Sequence, residues 1–247
     1  MTSETAPVVY LLRRPREVDP YEDALSTAGY QPVHLPVLEF SYVNEPRFHE
    51  FLKSPGSFGG LIVTSPRVVD LLKTIKERDP QLLAPWFKKQ SYAVGPSTSG
   101  RLTTLGFDVR GSNAGNAEEL SRVIIAARPS GRPLLFLCGN RRREMLPKAL
   151  TRAGVAWQEL QVYRTDVSDS IVPADERPGW VVCFSPSGVE GLTQILDSLA
   201  HTPRIAAIGP TTAQALRVEG FTVHAVAHEP SAEGVIRALQ RAEPTIR

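Results

Sequence analysis

Two stretches of the sequence are nearly the same phrase: YAVGPSTSGRLTTLGFDV, from Tyr92 to Val109, and AAIGPTTAQALRVEGFTV, from Ala206 to Val223. Each places a glycine, a proline and small hydroxyl residues straight after an apolar run. Ser65-Pro66-Arg67 and Ser185-Pro186-Ser187 form a second such pair. Asn116, with Glu119 three residues on, and Ser231 form a third. The chemistry these residue types share is the holding of anions. Ser, Thr or Asn caps a helix, and proline suits its first turn. The free N–H groups of that turn favour negative charge. Glycine lets backbone approach a ligand closely. Taken alone, each phrase reads as a cap or tight turn with no ligand. Several kinds of junction, all polar and all duplicated, point to a site.

Other candidates are fewer. Arg141-Arg142-Arg143 follows Cys138-Gly139-Asn140 at a predicted strand end. It reads as a solvated charge run or as an anion contact. Tyr163, in ELQVYRT, reads equally as a half-buried strand tyrosine or as a functional one. His34, His49, His201, His224 and His228 share no metal-ligand spacing, so each reads as a surface histidine. No GxGxxG, GxxxxGK[ST] or GxSxG motif appears. Dinucleotide, P-loop and hydrolase readings therefore lack support.

These junctions need elements to position them. Leu61–Val63, Pro133–Cys138, Trp180–Phe184 and Ile205–Gly209 are short apolar runs without polar alternation, which predicts buried strands. Val68, Leu71, Leu72 and Ile75, and likewise Leu120, Val123, Ile124 and Ala127, carry helical spacing. Strand alternating with helix predicts parallel sheets covered on both faces. The repeats order the chain. Gly95 and Gly209 are 114 residues apart, Ser65 and Ser185 are 120 apart, and Gly29 and Gly154 are 125 apart. Four units follow, A near 8–40, B near 59–127, A′ near 133–165 and B′ near 179–241. Every junction falls at the carboxyl edge of a sheet, where such folds bind ligands. Two domains facing each other would present two such edges.

Composition sets bounds. The chain has 247 residues, 42% of them hydrophobic and 22% charged, which suits a globular protein of one large or two smaller domains. The net charge of +2 gives no nucleic-acid surface. Cys138 and Cys183 sit in strand-like runs, so core thiols and a reducing, cytoplasmic setting are expected. No run approaches the roughly 18 apolar residues of a membrane span. The N-terminus, MTSETAPVVYLLRRP, puts its arginines after the apolar stretch, which is wrong for a signal peptide. Glu4 and the lack of early arginines argue against a transit peptide.

LPVLEF, LIVTSPR, YAVGPST, GNAEEL, CGNRRREMLPKAL, ELQVYRT, FSPSGVEGL and AAIGPTTAQAL with GFTV occur in this order from about Tyr10 to Leu239. Together they resemble the uroporphyrinogen III synthase family, closest to its animal and fungal type. The resemblance implies two flavodoxin-like α/β domains with parallel sheets, joined by a two-stranded antiparallel linker. One domain would be residues 1–38 with 167–247, the other 42–160, with linkers near 35–41 and 159–166. The reaction implied is closure of hydroxymethylbilane, a linear tetrapyrrole, to uroporphyrinogen III. Water is lost and the last pyrrole ring is inverted through a spiro intermediate. Uncatalysed closure gives the unrotated isomer I, so the enzyme must mainly steer geometry. By matching motif, Tyr163 would assist departure of the hydroxyl. Ser65, Arg67, Thr98, Asn116, Asn140, Ser185, Ser187, Thr211 and Thr212 would bind substrate carboxylates. No metal or organic cofactor is implied. The expected partners are the polycarboxylate substrate and a transient hand-over from hydroxymethylbilane synthase, with no nucleic acid, no membrane and a monomeric state.

Three other readings compete. A two-domain protein closing on a small polyanion without chemistry shares every helix-terminus argument but has no need of Tyr163. A glycosyltransferase should show a nucleotide-gripping glycine loop and a catalytic carboxylate, and neither stands out. A scaffold gives no reason to duplicate polar junctions.

Overall fold

The structure, a computed structural model, describes residues 6–127, 129, 131–168 and 177–243. The stretch read for a targeting signal begins in residues 1–5, outside the described residues. Parts of the expected first domain, 169–176 and 244–247, also lie outside them. The chain divides into two compact units, Met1–Glu39 with Asp166–Arg247, and Phe40–Thr165.

Strand β1 (Val8–Leu12) is VVYLL, buried at all five positions. A run apolar on both faces belongs inside a parallel sheet. Helix α1 (Pro20–Thr27) starts at Asp19, whose carboxylate accepts the Tyr21 N–H. Strand β2 (Gln31–His34) lies parallel to β1. Strand β3 (Leu38–Tyr42) follows.

The 40–165 unit continues with α2 (Glu45–Lys53), β4 (Gly60–Val63), α3 (Pro66–Arg78), α4 (Pro80–Phe87), β5 (Gln90–Ala93) and α5 (Gly95–Leu105). Then come β6 (Asp108–Arg110), α6 (Ala117–Ala127), β7 (Leu134–Gly139), α7 (Met145–Arg152) and β8 (Trp157–Val167). The sheet order is β3-β8-β7-β4-β5-β6, parallel from β8 to β6. Alternate side chains go to opposite faces. Leu61 and Val63 join Leu135, Leu137 and Trp86 on one face, while Ile62 joins Tyr92 and Phe136 on the other. Beside β3, the Val43 N–H donates to the Val162 carbonyl and the Ser168 N–H to that of Val37, both at 3.0 Å. Numbers fall along β8 as they rise along β3, so this pair is antiparallel.

The rest of the first unit is β9 (Trp180–Cys183), a 3₁₀ turn over Pro186–Gly191, α8 (Leu192–Asp197), β10 (Arg204–Ala207), α9 (Pro210–Val218), β11 (Ala225–Val226) and α10 (Ala232–Ala242). Its sheet order is β11-β10-β9-β1-β2, parallel throughout. Tyr10, Val181 and Ile205 pack on one face, Val9, Leu11 and Val182 on the other. Ser65-Pro66 opens an α-helix, whereas Ser185-Pro186 opens the 3₁₀ turn. Gly188 and Gly191 weaken the α-helical alternative there. A Cβ at Gly191 would lie 2.7 Å from the Cβ of Val37.

Candidate active site

In the 40–165 unit the chain leaves β4 towards β5 and β6, and leaves β7 towards β8. The loops after β4 and β7 therefore part, and a crevice opens at the carboxyl edge between them. A cavity of about 370 Å³ lies there. Thr64 and Ser65 line it from the end of β4, and Gly139 and Arg141 to Arg143 from the end of β7. Asn116 lines it from the start of α6, and Tyr163 from β8.

Tyr163 owes its place to a glycine. Strands β7 and β8 pair residue for residue as far as Cys138 and Gln161, then an irregularity sets Gly139 opposite Tyr163. A Cβ on Gly139 would fall 2.4 Å from Cε2 and Cζ of Tyr163 and 2.8 Å from its hydroxyl. The half-buried ring thus fills space that any other residue at 139 would occupy. The Arg67 guanidinium lies 5.6 Å from the Tyr163 ring centre and 5.0 Å from that of Phe40. Both distances are in cation–π range.

Ser65 caps α3, its Oγ accepting the Arg67 N–H at 3.3 Å. Asn116 and Glu119 form a capping box at α6. The Glu119 N–H donates to Asn116 at 2.9 Å, and Glu119 accepts from the Asn116 amide and the Gly115 N–H, each at 2.8 Å. Asn140 is turned to the neighbouring strand. Its amide donates to the Thr165 carbonyl at 3.2 Å and accepts the Thr165 N–H at 2.8 Å. Arg141 Nε donates to the same carbonyl at 2.7 Å. Arg142 pairs with Glu159 and Glu144, both at 2.6 Å. Burial works against its charge, but the two carboxylates outweigh that and raise its pKa. Thr98 is buried in the first turn of α5, at 4% exposure, so it faces the packing beneath the helix. That helix begins at Val94 with no side-chain cap. Gly95 takes a left-handed φ of 74°, and its N–H donates to the Ala114 carbonyl at 2.8 Å.

The remaining four residues belong to the other unit. Ser185 Oγ accepts the Gly188 N–H at 3.3 Å and lies 3.1 Å from Ser187 Oγ. Thr211 is exposed at the start of α9 and Thr212 is buried beneath it. Gly209 is extended, at φ 177°, unlike its counterpart Gly95. Sequence reasoning missed Gly139 and Phe40 as neighbours of Tyr163. Gly139 stood in the quoted CGNRRR motif and Phe40 in LPVLEF, but no spacing joins either to Tyr163. Among the described residues, no group of three or more His, Cys, Asp or Glu could hold a metal ion. Burial pushes the thiols of Cys138 and Cys183 up to about 12.

A family model described as uroporphyrinogen-III synthase HemD matches residues 19–237. The uroporphyrinogen-III synthase of Saccharomyces cerevisiae is 30% identical over 264 residues, covering 94% of this chain and 95% of its own. That of Schizosaccharomyces pombe is 30% identical over 236 residues, covering 90% and 91%. Among solved structures, a mutant uroporphyrinogen III synthase from Thermus thermophilus superposes with a TM-score of 0.64 at 20% identity, covering 96% of this chain and 98% of its own. The Helicobacter pylori uroporphyrinogen-III synthetase gives 0.63 at 17% identity, covering 96% and 100%. These structures support the two-domain α/β fold. The matches at 30% identity run almost end to end, and with the family model they show that this chain belongs to the uroporphyrinogen-III synthase family.

Proposed function

We propose that this chain closes hydroxymethylbilane to uroporphyrinogen III, with inversion of ring D and loss of water. The observation that carries the reading is Tyr163, seated over Gly139 in a switch-point cavity edged by helix N-termini and arginines. The leaving hydroxyl departs as water once Tyr163 donates to it, and an azafulvene-like cation remains. Attack at the substituted carbon of ring D gives a spiro intermediate, which fragments and recloses. Ser65 and Asn116 cap α3 and α6, each accepting one first-turn N–H, and so fix the two helix N-termini whose positive ends edge the cavity. Arg67, held between two rings, adds positive charge beside Tyr163. Asn140 holds the β7 loop to β8 and thereby the floor of the cavity. Thr98 supports the first turn of α5. In the other unit, Ser185, Ser187, Thr211 and Thr212 are proposed to order further carboxylate-binding junctions.

We take the two domains as 1–38 with 167–247, and 42–160, with linkers near 35–41 and 159–166. The protein is proposed to act as a cytoplasmic monomer fed by hydroxymethylbilane synthase. No helix among the described residues is long and apolar enough to cross a membrane.

The test is a product assay. Freshly made hydroxymethylbilane is supplied, quenched within minutes and oxidised, and the uroporphyrin isomers are separated. Predominant isomer III is expected. Isomer I alone, at the buffer rate, would leave a polyanion-binding protein without catalysis as the better reading.

A further inference from the structure

The unit of residues 1–39 and 166–247 has its own switch point. Its chain leaves β1 towards β2 and leaves β9 towards β10 and β11, so the loops after β1 and β9 part. A cavity of about 630 Å³ opens there, lined by the α10 cap Ser231 but by none of the residues placed at the first site. Its walls include Arg13, Arg14 and Arg16 from the β1 loop, Tyr21 from α1, and Phe184 from the end of β9.

Arg13 is built in. Its side chain is 13% exposed, and its guanidinium carbon lies 5.0 Å from the Tyr21 ring centre and 5.2 Å from that of Phe184. The two rings pack edge to face at 4.9 Å. Nη2 donates to Asp19 Oδ2 at 2.7 Å, and Nε donates to the Arg14 carbonyl at 3.3 Å. Among the described residues the other three N–H bonds of this guanidinium have no partner. Asp19 is itself fixed, its side chain 1% exposed, by the N–H groups of Arg16 at 3.0 Å and Tyr21 at 3.1 Å. A buried carboxylate therefore holds the guanidinium from behind. Residues 13–19 hold three arginines against Glu17 and Asp19, a surplus of one positive charge, and Glu233 is the acid on the wall.

We propose that this cavity is an oxyanion site in which Arg13 receives a carboxylate or phosphate group. A planar guanidinium fixed in orientation matches two oxygens of such a group, and losing few rotamers on binding favours it over a free lysine. Packing against the Tyr21 and Phe184 rings shields part of the guanidinium from water, which strengthens such a pair. The anion is either a carboxylate arm of the tetrapyrrole, a source that rests on the function proposed above, or a free small anion.

The experiment uses the full chain as wild type, Arg13→Met, Arg13→Lys and Asp19→Asn, each checked for folding by circular dichroism. The Kd of inorganic phosphate is measured by calorimetry, and KM with hydroxymethylbilane. Phosphate binding about tenfold weaker in Arg13→Met, with Arg13→Lys in between, is expected for one lost charge-assisted contact. A parallel rise in KM assigns the anion to the substrate, and an unaltered KM assigns it to a free ion. Should Arg13→Met not fold, Arg13→Lys and Asp19→Asn must each still weaken phosphate binding. Equal phosphate affinity and equal KM across the folded variants would overturn the site. Wild-type protein yielding only isomer I would remove the enzymatic reading and leave the phosphate result to be judged alone.

Discussion

A tyrosine on one strand and a glycine on its neighbour pack closely at the candidate site. Because the Tyr163 ring fills the space above Gly139, the two positions make separable predictions. Tyr163→Phe keeps the ring and removes the proton donor. It should lower the rate by roughly 10²-fold, the lower end of the range for general acids, because the hydroxyl leaves easily. The melting temperature should hold. Wild-type rate in the folded variant would take Tyr163 out of the mechanism. Gly139→Ala instead forces the ring aside. It should cost stability by about 1–3 kcal/mol through overpacking, with lowered activity as well. A stable, fully active Gly139→Ala would show that the ring's seat does not matter. Little of this pairing was legible. Residues 139 and 163 lie 24 apart on neighbouring strands, and their alignment depends on an irregularity after Cys138 that no periodicity announces. Tyr163 itself stood out in ELQVYRT as either a strand tyrosine or a functional one, and only the match of its flanking letters to a family chose between them.

At the scale of elements the reading went further, for a physical reason. Strands buried on both faces must be apolar throughout, so Leu61–Val63, Trp180–Phe184 and their like stood out and the strands lie there. Helix starts were visible where a side chain caps, as at Ser65 and Asn116. They misled where glycine governs. The two Gly-Pro-hydroxyl phrases share letters, yet Gly95 is left-handed and Gly209 extended, and neither helix has a side-chain cap. Ser65→Ala should therefore cost about 1 kcal/mol, while Thr211→Ala should cost a few tenths at most. Denaturant midpoints would decide, and equal losses would contradict the difference in capping. The Asp19 loop gives a pH prediction. Burial alone would raise its pKa, but the Arg16 and Tyr21 N–H groups, Arg13 and His34 outweigh that and lower it. A carboxyl depressed on folding adds stability at pH values above its unfolded pKa of about 3.9, and that stability fades as pH falls through the folded value. The stability gap between wild type and Asp19→Asn should shrink below about pH 4. A gap unchanged to lower pH would contradict this.

The whole molecule is asymmetric in how its chain is used. Residues 40–165 are contiguous and carry both apolar faces of their sheet, with Trp86, Leu61 and Leu135 on one and Ile62 and Phe136 on the other. The other unit is assembled from both ends of the chain. Strand β1 lies inside its sheet, between β9 and β2, and Val9, Tyr10 and Leu11 are wholly buried there. Residues 166–247 alone would leave the edge of β9 unpaired and both core faces open, which burial of apolar surface cannot offset. A fragment of residues 40–165 should thus melt cooperatively, as expected of a unit with its own core. A fragment of residues 166–247 should show no cooperative melt, and adding a peptide of residues 1–39 should restore one. In the intact chain this unit closes over a loop of more than a hundred residues, so its amides should gain exchange protection after those of 40–165 during refolding. Pulse-labelling exchange would read that order directly. Protection arising first in β1 and β9 would mean that the long closure is not what limits the folding of this unit.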